Sequence, residues 1–261
     1  MVAEGDEWDA HMGLEQLVKT LEVGDMFVKG SEAYLLRGSF AHQPCLVKER
    51  RPKRYRHPQL DQELRFTRLR LEVRILRMVL REGLPVPRVL AVDPTRYRLV
   101  LGHVEGHPLG QLVRENRISP EHVQTVLAEV GQVCARLHSL GIIHGDLTPF
   151  NVLVQDGSQH RICLIDFGLA SFSDEAGPKI MDLFTMEGAL RAFSPTDCEQ
   201  QFDAFLEGYE EVSGSGTVTR EAVNLLGQQG RYKSHQRQRM GGSGGHHGNN
   251  NVNDSNSYGN G

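Results

Sequence analysis

No stretch of this sequence approaches the ~18 consecutive apolar residues of a membrane-spanning helix. Its opening residues, Met1 to Trp8, are acidic and lack an apolar core. The sequence is therefore expected to hold neither a membrane span nor a secretory signal. Cysteine is sparse: Cys45, Cys134, Cys163 and Cys198 are scattered, and none forms a C-x-x-C pair. They read as buried free thiols in a reducing compartment. The formal charge of -4 gives no general case for nucleic-acid binding. A G-x-G-x-x-G phosphate loop is missing, and so is an Ala-Pro-Glu after the central motif.

What is present is concentrated in the middle. Ile143-His144-Gly145-Asp146-Leu147-Thr148-Pro149-Phe150-Asn151 is followed, after a short gap, by Leu164-Ile165-Asp166-Phe167-Gly168. The order is His-x-Asp, an Asn five positions on, then Asp-Phe-Gly. Each polar residue suits phosphoryl transfer. Asp146 can accept the proton of an attacking hydroxyl, while Asn151 and Asp166 offer hard oxygen ligands for magnesium. Gly145 stands where many protein kinases carry the arginine that binds a phosphorylated activation loop. No phosphorylation switch is expected here.

With 261 residues and 39% hydrophobic content, the chain can form one large domain or two lobes around a cleft. Short apolar runs alternate with turns from Met26 to Val47, as in a small antiparallel sheet. Leu60–Arg81 has helical periodicity and is stopped by Gly83 and Pro85. Val89–Val92 and Arg98–Val104 read as strands, and Leu109–Arg117 as a short helix. Ser119-Pro120-Glu121 should cap a helix running to about Leu140. Ile180–Phe193, Thr196–Val212 and Arg220–Gln229 also look helical. Arg231, Lys233, Arg237 and Arg239 form a basic stretch. Gly241 to Gly261 has almost no apolar residue and is expected to be disordered. His246-His247 within it could hold a metal, though such a pair more often does nothing. The expected divisions are an acidic lead at 1–13, an N-terminal lobe at 14–104, a C-terminal lobe at 105–230, a basic tail at 231–240 and a Gly/Asn-rich tail at 241–261.

Upstream of the central motif, Pro44-Cys45-Leu46-Val47-Lys48 places a lysine at a strand end, and the next helix carries Glu72. A strand lysine held by a helix glutamate and aimed at the α/β-phosphates is a kinase arrangement; alone, the two would read as solvated charges. Glu63 is the next-best carboxylate. The place of a phosphate loop is taken by Lys29-Gly30-Ser31-Glu32-Ala33, where one glycine can permit a tight turn with N–H groups facing phosphate. Glu32 could pair with Lys48, help hold a metal, or be a solvated turn residue. Arg50, Arg51, Lys53, Arg54, Arg56 and His57, with Tyr55 among them, can contact RNA backbone or an acidic protein. A solvated loop is the stronger reading for such a run. Asp182 either braces the catalytic loop or lies on a helix surface.

These residues give the chain a family resemblance. It is similar to the small atypical kinases of the KEOPS (EKC) complex, the PRPK or Bud-type kinases, from about residue 25 to 240. The distinctive segments are Gly30-Ser31-Glu32-Ala33, Tyr55-Arg56-His57-Pro58-Gln59-Leu60-Asp61, His144-Gly145-Asp146-Leu147-Thr148, Asp166-Phe167-Gly168-Leu169 and the arginine-rich Arg231–Met240. The resemblance implies an α+β, bilobal protein-kinase-like fold, with a small antiparallel-sheet N-lobe and a minimal, mostly helical C-lobe. It implies a Ser/Thr kinase and ATPase using ATP and Mg2+. It assigns Asp146 as catalytic aspartate, Asn151 and Asp166 as metal ligands, Lys48 as phosphate contact, held by Glu72, and Lys29 to Ala33 as phosphate loop. Its partners would be a TsaD-like (Kae-type) subunit, other KEOPS subunits, tRNA contacted within the complex, and an acidic or Ser-containing protein substrate. Its locations would be cytoplasm and nucleus. The complex makes threonylcarbamoyladenosine in tRNA. The chain departs from the family at the expected hinge, Leu101-Gly102-His103.

Two rival classes exist. His-Gly-Asp with a following Asn is shared with aminoglycoside and choline kinases, but the Tyr-Arg-His-Pro segment and the lack of room for a helical substrate domain speak against that class. A silent scaffold is the other, and the full set of metal- and proton-handling residues speaks against it.

Overall fold

The structure is a computed structural model, and it describes residues 21–30, 33–155, 161–214, 221–223 and 225. The acidic lead, the basic stretch from Arg231 and the Gly/Asn tail with His246-His247 lie outside the described residues.

Three strands, β1 (Leu21–Lys29), β2 (Ala33–Phe40) and β3 (Gln43–Arg50), form an antiparallel meander. Two more, β4 (Val89–Asp93) and β5 (Arg98–Gly102), complete a sheet of order β1-β2-β3-β5-β4. The two-residue period of β3 sorts its side chains. Cys45 and Val47 point to one face and bury against Val100, Leu36 and Phe40. Leu46, Lys48 and Arg50 point to the other face, which lines a cleft.

Helix α1 (Pro58–Arg81) crosses behind that cleft. Proline at its first position gives up an N–H that has no partner there anyway. Leu69, Val73, Leu76 and Val79, spaced at helical period, are buried and enter the main core. The helix closes on Gly83 and Leu84, whose N–H groups donate to Leu80 and Val79 carbonyls at 3.1 Å each. The sequence pattern for this helix was short by only two residues at its start.

The second half is mostly helical: α2 (Leu109–Arg114), α3 (Pro120–Ser139), α4 (Ala176–Phe193) and α5 (Cys198–Ser213). As expected, Ser119 Oγ accepts the His122 N–H and starts α3. Between α3 and α4 the chain makes short strands: β7 (Ile142–Ile143), β8 (Val152–Val154) and β9 (Ile162–Leu164), with β10 (Ser171–Phe172) closing on β7. A further strand, β6 (His107–Pro108), pairs with β8. Helices α3 and α5 touch through glycines. A Cβ on Gly131 would stand 2.0 Å from the Phe205 carbonyl oxygen, and one on Gly208 1.9 Å from that of Ala128. Any larger residue would separate the helices.

All four cysteines are buried and free, and burial pushes the Cys163 thiol up to about 12. The last predicted helix is described only at Glu221–Val223 and Leu225. Among the described residues, no helix is long and apolar enough to cross a membrane.

Candidate active site

A cleft of about 330 Å³ opens between the sheet and the helical half. Leu35, Leu46, Leu101 and Leu153 supply its apolar walls, and Lys48, Glu72, Asp146, Asn151 and Asp166 its polar groups. Gly30 and Ala33 line its mouth, with the Gly30 N–H donating to the Ala33 carbonyl at 3.0 Å. Ser31 and Glu32 lie outside the described residues, and Lys29 is described only as the last residue of β1. Glu63 is exposed on α1 and away from the cleft, so Glu72 is the helix carboxylate that pairs with the strand lysine.

Lys48 is the hub. Its Nζ lies 2.6 Å from Glu72 Oε1 and 2.6 Å from Asp166 Oδ1, on the other side of the cleft. Burial alone would lower the ammonium pKa; the two carboxylates outweigh it and hold the value above the ordinary one. Burial would likewise raise Asp166, but the Lys48 charge and hydrogen bond win and hold it below the usual carboxylate range. Asp166 has a left-handed backbone, φ +61°, and accepts the Gly168 N–H. Its side chain remains half exposed toward the cleft.

Asn151 Nδ2 donates to the Asp146 carbonyl at 2.8 Å and to Asp146 Oδ2 at 3.0 Å. Neither Asn151 Oδ1 nor Asp146 Oδ1 is used in these two bonds. Asn151 and Asp166 therefore offer a two-residue oxygen set. This fits Mg2+, which keeps several waters and takes one or two protein ligands beside substrate phosphates. Among the described residues there is no cluster of three or more His, Cys, Asp or Glu that would suit a metal held by protein alone.

The catalytic loop is fixed from below. Asp182, on α4 and buried, accepts the His144 N–H at 2.6 Å and the Gly145 N–H at 2.8 Å. The bracing alternative for Asp182 is the one the fold adopts. His144 Nδ1 accepts the Asp146 N–H at 3.3 Å, so Nε2 carries the ring proton and donates to the Ile165 carbonyl at 3.1 Å. Burial keeps this ring's pKa below the ordinary value, against the pull of Asp182. At Gly145, φ is +80° and a Cβ would lie 2.4 Å from the Leu169 carbonyl oxygen. The position has no room for any side chain, arginine included.

Three residues in these contacts were not picked out from sequence. Arg50, placed in a solvated run, is buried at 3% exposure, and its Nη2 lies 2.6 Å from Glu72 Oε2. Its signal was the two-residue spacing from Lys48, which puts both cations on one face of β3. The rest of the run divides: Arg51, Arg54, Tyr55 and His57 are exposed, whereas buried Asp61 accepts from Arg65 and the Lys53 N–H, and Arg56 lies 3.6 Å away. His138 and Tyr209 are the others. His138 Nε2 stands 3.2 Å from Asp182 Oδ2 and Nδ1 3.0 Å from the Tyr209 hydroxyl.

Comparison with known proteins bears on this geometry. A family model described as lipopolysaccharide kinase (Kdo/WaaP) matches residues 47–209, from the lysine strand to Tyr209. The EKC/KEOPS complex subunit bud32 of Dictyostelium discoideum is 32% identical over 222 residues, 84% of this chain and 87% of that one. The KEOPS complex subunit Bud32 of Pyrococcus abyssi is 36% identical over 213 residues, 78% of this chain and 94% of that one. The chain belongs to the Bud32 family. Bud32 relatives include a probable serine/threonine-protein kinase BUD32 homolog of Archaeoglobus fulgidus, 37% identical over 72% of this chain and 88% of that one. A probable bifunctional tRNA threonylcarbamoyladenosine biosynthesis protein of Methanothermobacter thermautotrophicus is 33% identical over 80% of this chain, which spans only 36% of that longer protein. The solved Rio2 kinase of Chaetomium thermophilum superposes with a TM-score of 0.60 at 17% identity, over 92% of this chain and 83% of that one. The fold is thus that of a bilobal α+β kinase, and this Bud32 chain is an ATP-dependent phosphotransferase.

Proposed function

We propose that this chain is the kinase and ATPase subunit of a KEOPS (EKC)-type complex that supports threonylcarbamoyladenosine formation in tRNA. One observation carries the chemistry. Lys48 and Asp166, 118 positions apart, meet at 2.6 Å in a cleft that also holds Asp146 and Asn151. The relatives named as KEOPS subunits support the assignment to a complex.

ATP enters with its adenine between Leu35, Leu46, Leu101 and Leu153. Backbone contacts at the Leu101-Gly102 edge hold the ring, so the departure of this segment from the family does not remove the pocket. Lys48 turns from Asp166 toward the α/β-phosphates while Glu72 keeps it in place. Lys29 to Ala33, Ser31 and Glu32 included, is the proposed phosphate-binding segment, and Gly30 and Ala33 line the mouth of the cleft. Asn151 and Asp166 would hold Mg2+, which would supply positive charge beside the phosphate oxygens. Asp146, oriented by Asn151, accepts the proton of the attacking group, a serine hydroxyl of an acidic protein segment or water. Gly145 offers no cation to a phosphorylated loop. Control therefore comes from a partner that biases the cleft, a TsaD-like (Kae-type) subunit in first place. The basic tail Arg231 to Arg239 adds salt-sensitive contacts to tRNA backbone. The proposed locations are cytoplasm and nucleus.

The test compares Mg2+-dependent ATP turnover of wild type and Asp166→Ala. The variant should keep its circular dichroism and lose on the order of 10²-fold or more in rate, because positioning and electrostatics supply most of this catalysis. A folded variant turning over ATP at the wild-type rate would overturn the site. Affinity purification of the tagged chain from its own cells should retrieve a TsaD-like subunit. Its absence would overturn the complex and leave the chemistry standing.

A further inference from the structure

Strand lysine and helix glutamate ordinarily form a pair. Here the pair is a triad. Glu72 is almost wholly buried and divides its two oxygens between two cations, Oε1 to Lys48 and Oε2 to Arg50, at 2.6 Å each. Arg50 is buried as well, and its Nη2 stands 3.5 Å from the Gly168 carbonyl. Its Nε is buried and has no hydrogen-bond partner among the described residues. Arg50 lines the cleft, but its guanidinium is committed to Glu72 rather than open to a ligand. Its contacts instead join three elements: strand β3, helix α1 and the Asp166–Gly168 segment.

Charge counting sharpens this. As the structure stands, Lys48 and Arg50 balance Glu72 and Asp166. Once Asp166 turns to a metal ion, Lys48, Arg50 and Glu72 together keep one positive charge facing the phosphates; a simple Lys–Glu pair would keep none. Arg50 also holds Glu72 by itself, so Lys48 can lean toward a phosphate without releasing α1.

We propose that Arg50 is a positioning residue, a built-in clamp that keeps Glu72 and helix α1 docked over the cleft without any modification of the chain. The inference rests on the phosphotransfer reading above and names how that site is kept assembled. It does the work of a loop phosphorylation for which Gly145 offers no cationic partner.

The experiment uses the full chain in Arg50→Gln, Arg50→Lys, Glu72→Gln and Arg50→Gln/Glu72→Gln forms, with Asp166→Ala as control. Three readouts are taken: kcat and KM for ATP with Mg2+, single-turnover rates, and amide hydrogen exchange. Arg50→Gln should lower kcat about 10- to 100-fold, the scale of a small misplacement of reacting groups. KM for ATP should stay within about threefold, since the apolar walls of the pocket are untouched. Exchange should quicken in residues 69–80 of α1 and stay unchanged in α3. Arg50→Lys keeps the charge and a donor toward Glu72, and should recover part of the loss. In the Glu72→Gln background Arg50→Gln should change the rate by less than about twofold, because its effect passes through Glu72. A wild-type kcat in Arg50→Gln, unchanged exchange in α1, or losses that multiply in the double variant would each overturn the clamp. If Arg50→Gln does not fold, Arg50→Lys decides: its partial loss must vanish in the Glu72→Gln background, and persistence there overturns the proposal. If Asp166→Ala is as active as wild type, the phosphotransfer reading fails; if it is inactive while Arg50→Gln is normal, only the clamp fails.

Discussion

Two polar clusters flank the catalytic loop, one above and one below. The upper one, Lys48, Arg50, Glu72 and Asp166, joins the sheet and α1 to the far wall of the cleft. Its members are charged side chains, and Asp166 is half open to solvent. The lower one, Asp182, His138 and Tyr209, lies wholly inside the helical half, with exposures of 1–2%. Asp182 there receives backbone N–H groups of His144 and Gly145, not a mobile side chain. With Nε2–H of His138 donating to Asp182, Nδ1 accepts the Tyr209 hydroxyl proton, and every member is satisfied. Burial, with lesser help from Cys134 and Asp182, raises the Tyr209 pKa, so it stays a hydroxyl. The upper cluster can exchange partners when a ligand arrives; the lower one has no partner to exchange. The first is built to be rearranged, the second to hold the loop still while that happens.

The largest expected effect tests this contrast. Asp182→Ala strips the acceptor from two buried backbone N–H groups and from His138. Breaking a buried ionic hydrogen-bond network costs about 3–5 kcal/mol, a large part of the 5–15 kcal/mol typical of a domain. Its urea midpoint should therefore fall far below that of Asp166→Ala, which should stay near wild type while losing activity. Equal stability of the two variants would end the distinction.

How visible each cluster was in the sequence follows from what holds it. Lys48, Asp146, Asn151 and Asp166 stand in ordered motifs with spacings fixed by chemistry, so their convergence could be foreseen. Asp182 could be named but not placed, since a helical aspartate faces core or water according to how α4 packs. His138 and Tyr209 carry no motif. They meet only because Gly131 and Gly208 let α3 and α5 come into backbone contact, a tertiary event with little local signal. Arg50 was lost in a run of cations whose other members are mostly exposed. Nothing in composition marks the one member of a charged run that turns inward; the two-residue period of β3 does. The fold was easier to read: caps at Ser119 and stops at Gly83 bounded the main helices within a few residues.

A smaller effect is expected at the rim of the lower cluster. Tyr209→Phe keeps the ring, which meets His138 edge-on at 5.6 Å between centroids, and removes only the hydroxyl. It should cost about 1 kcal/mol, the usual net worth of one hydrogen bond, with some addition for the unpaired His138 nitrogen. The kcat at saturating ATP should change less than about twofold. A loss of activity as large as that of Asp166→Ala, at unchanged stability, would mean that the lower cluster also takes part in rearrangement.

The smallest effect concerns His144, which lies between the two clusters. Its backbone N–H is held by Asp182, while its ring donates to Ile165 beside Asp166 and packs on Phe167 at 4.8 Å. Burial disfavours the charged ring, so the folded pKa lies below the unfolded one. Below the unfolded value of about 6.5 the unfolded chain takes up a proton that the folded chain refuses. Stability therefore falls as pH drops through the interval between the two values, and is insensitive to this residue above about 7. A single group contributes at most about 1.36 kcal/mol per pH unit. His144→Gln, which keeps an amide donor and acceptor, should remove that share of the slope. Comparing urea unfolding of the two proteins from pH 7.5 downward cancels the other histidines. The curves should run parallel above about pH 7 and separate below about 6.5, with wild type losing stability faster. Curves that stay parallel throughout would mean that His144 takes up its proton as readily folded as unfolded. The ring between the clusters would then be open to charge, and the floor of the cleft less fixed than its hydrogen bonds imply.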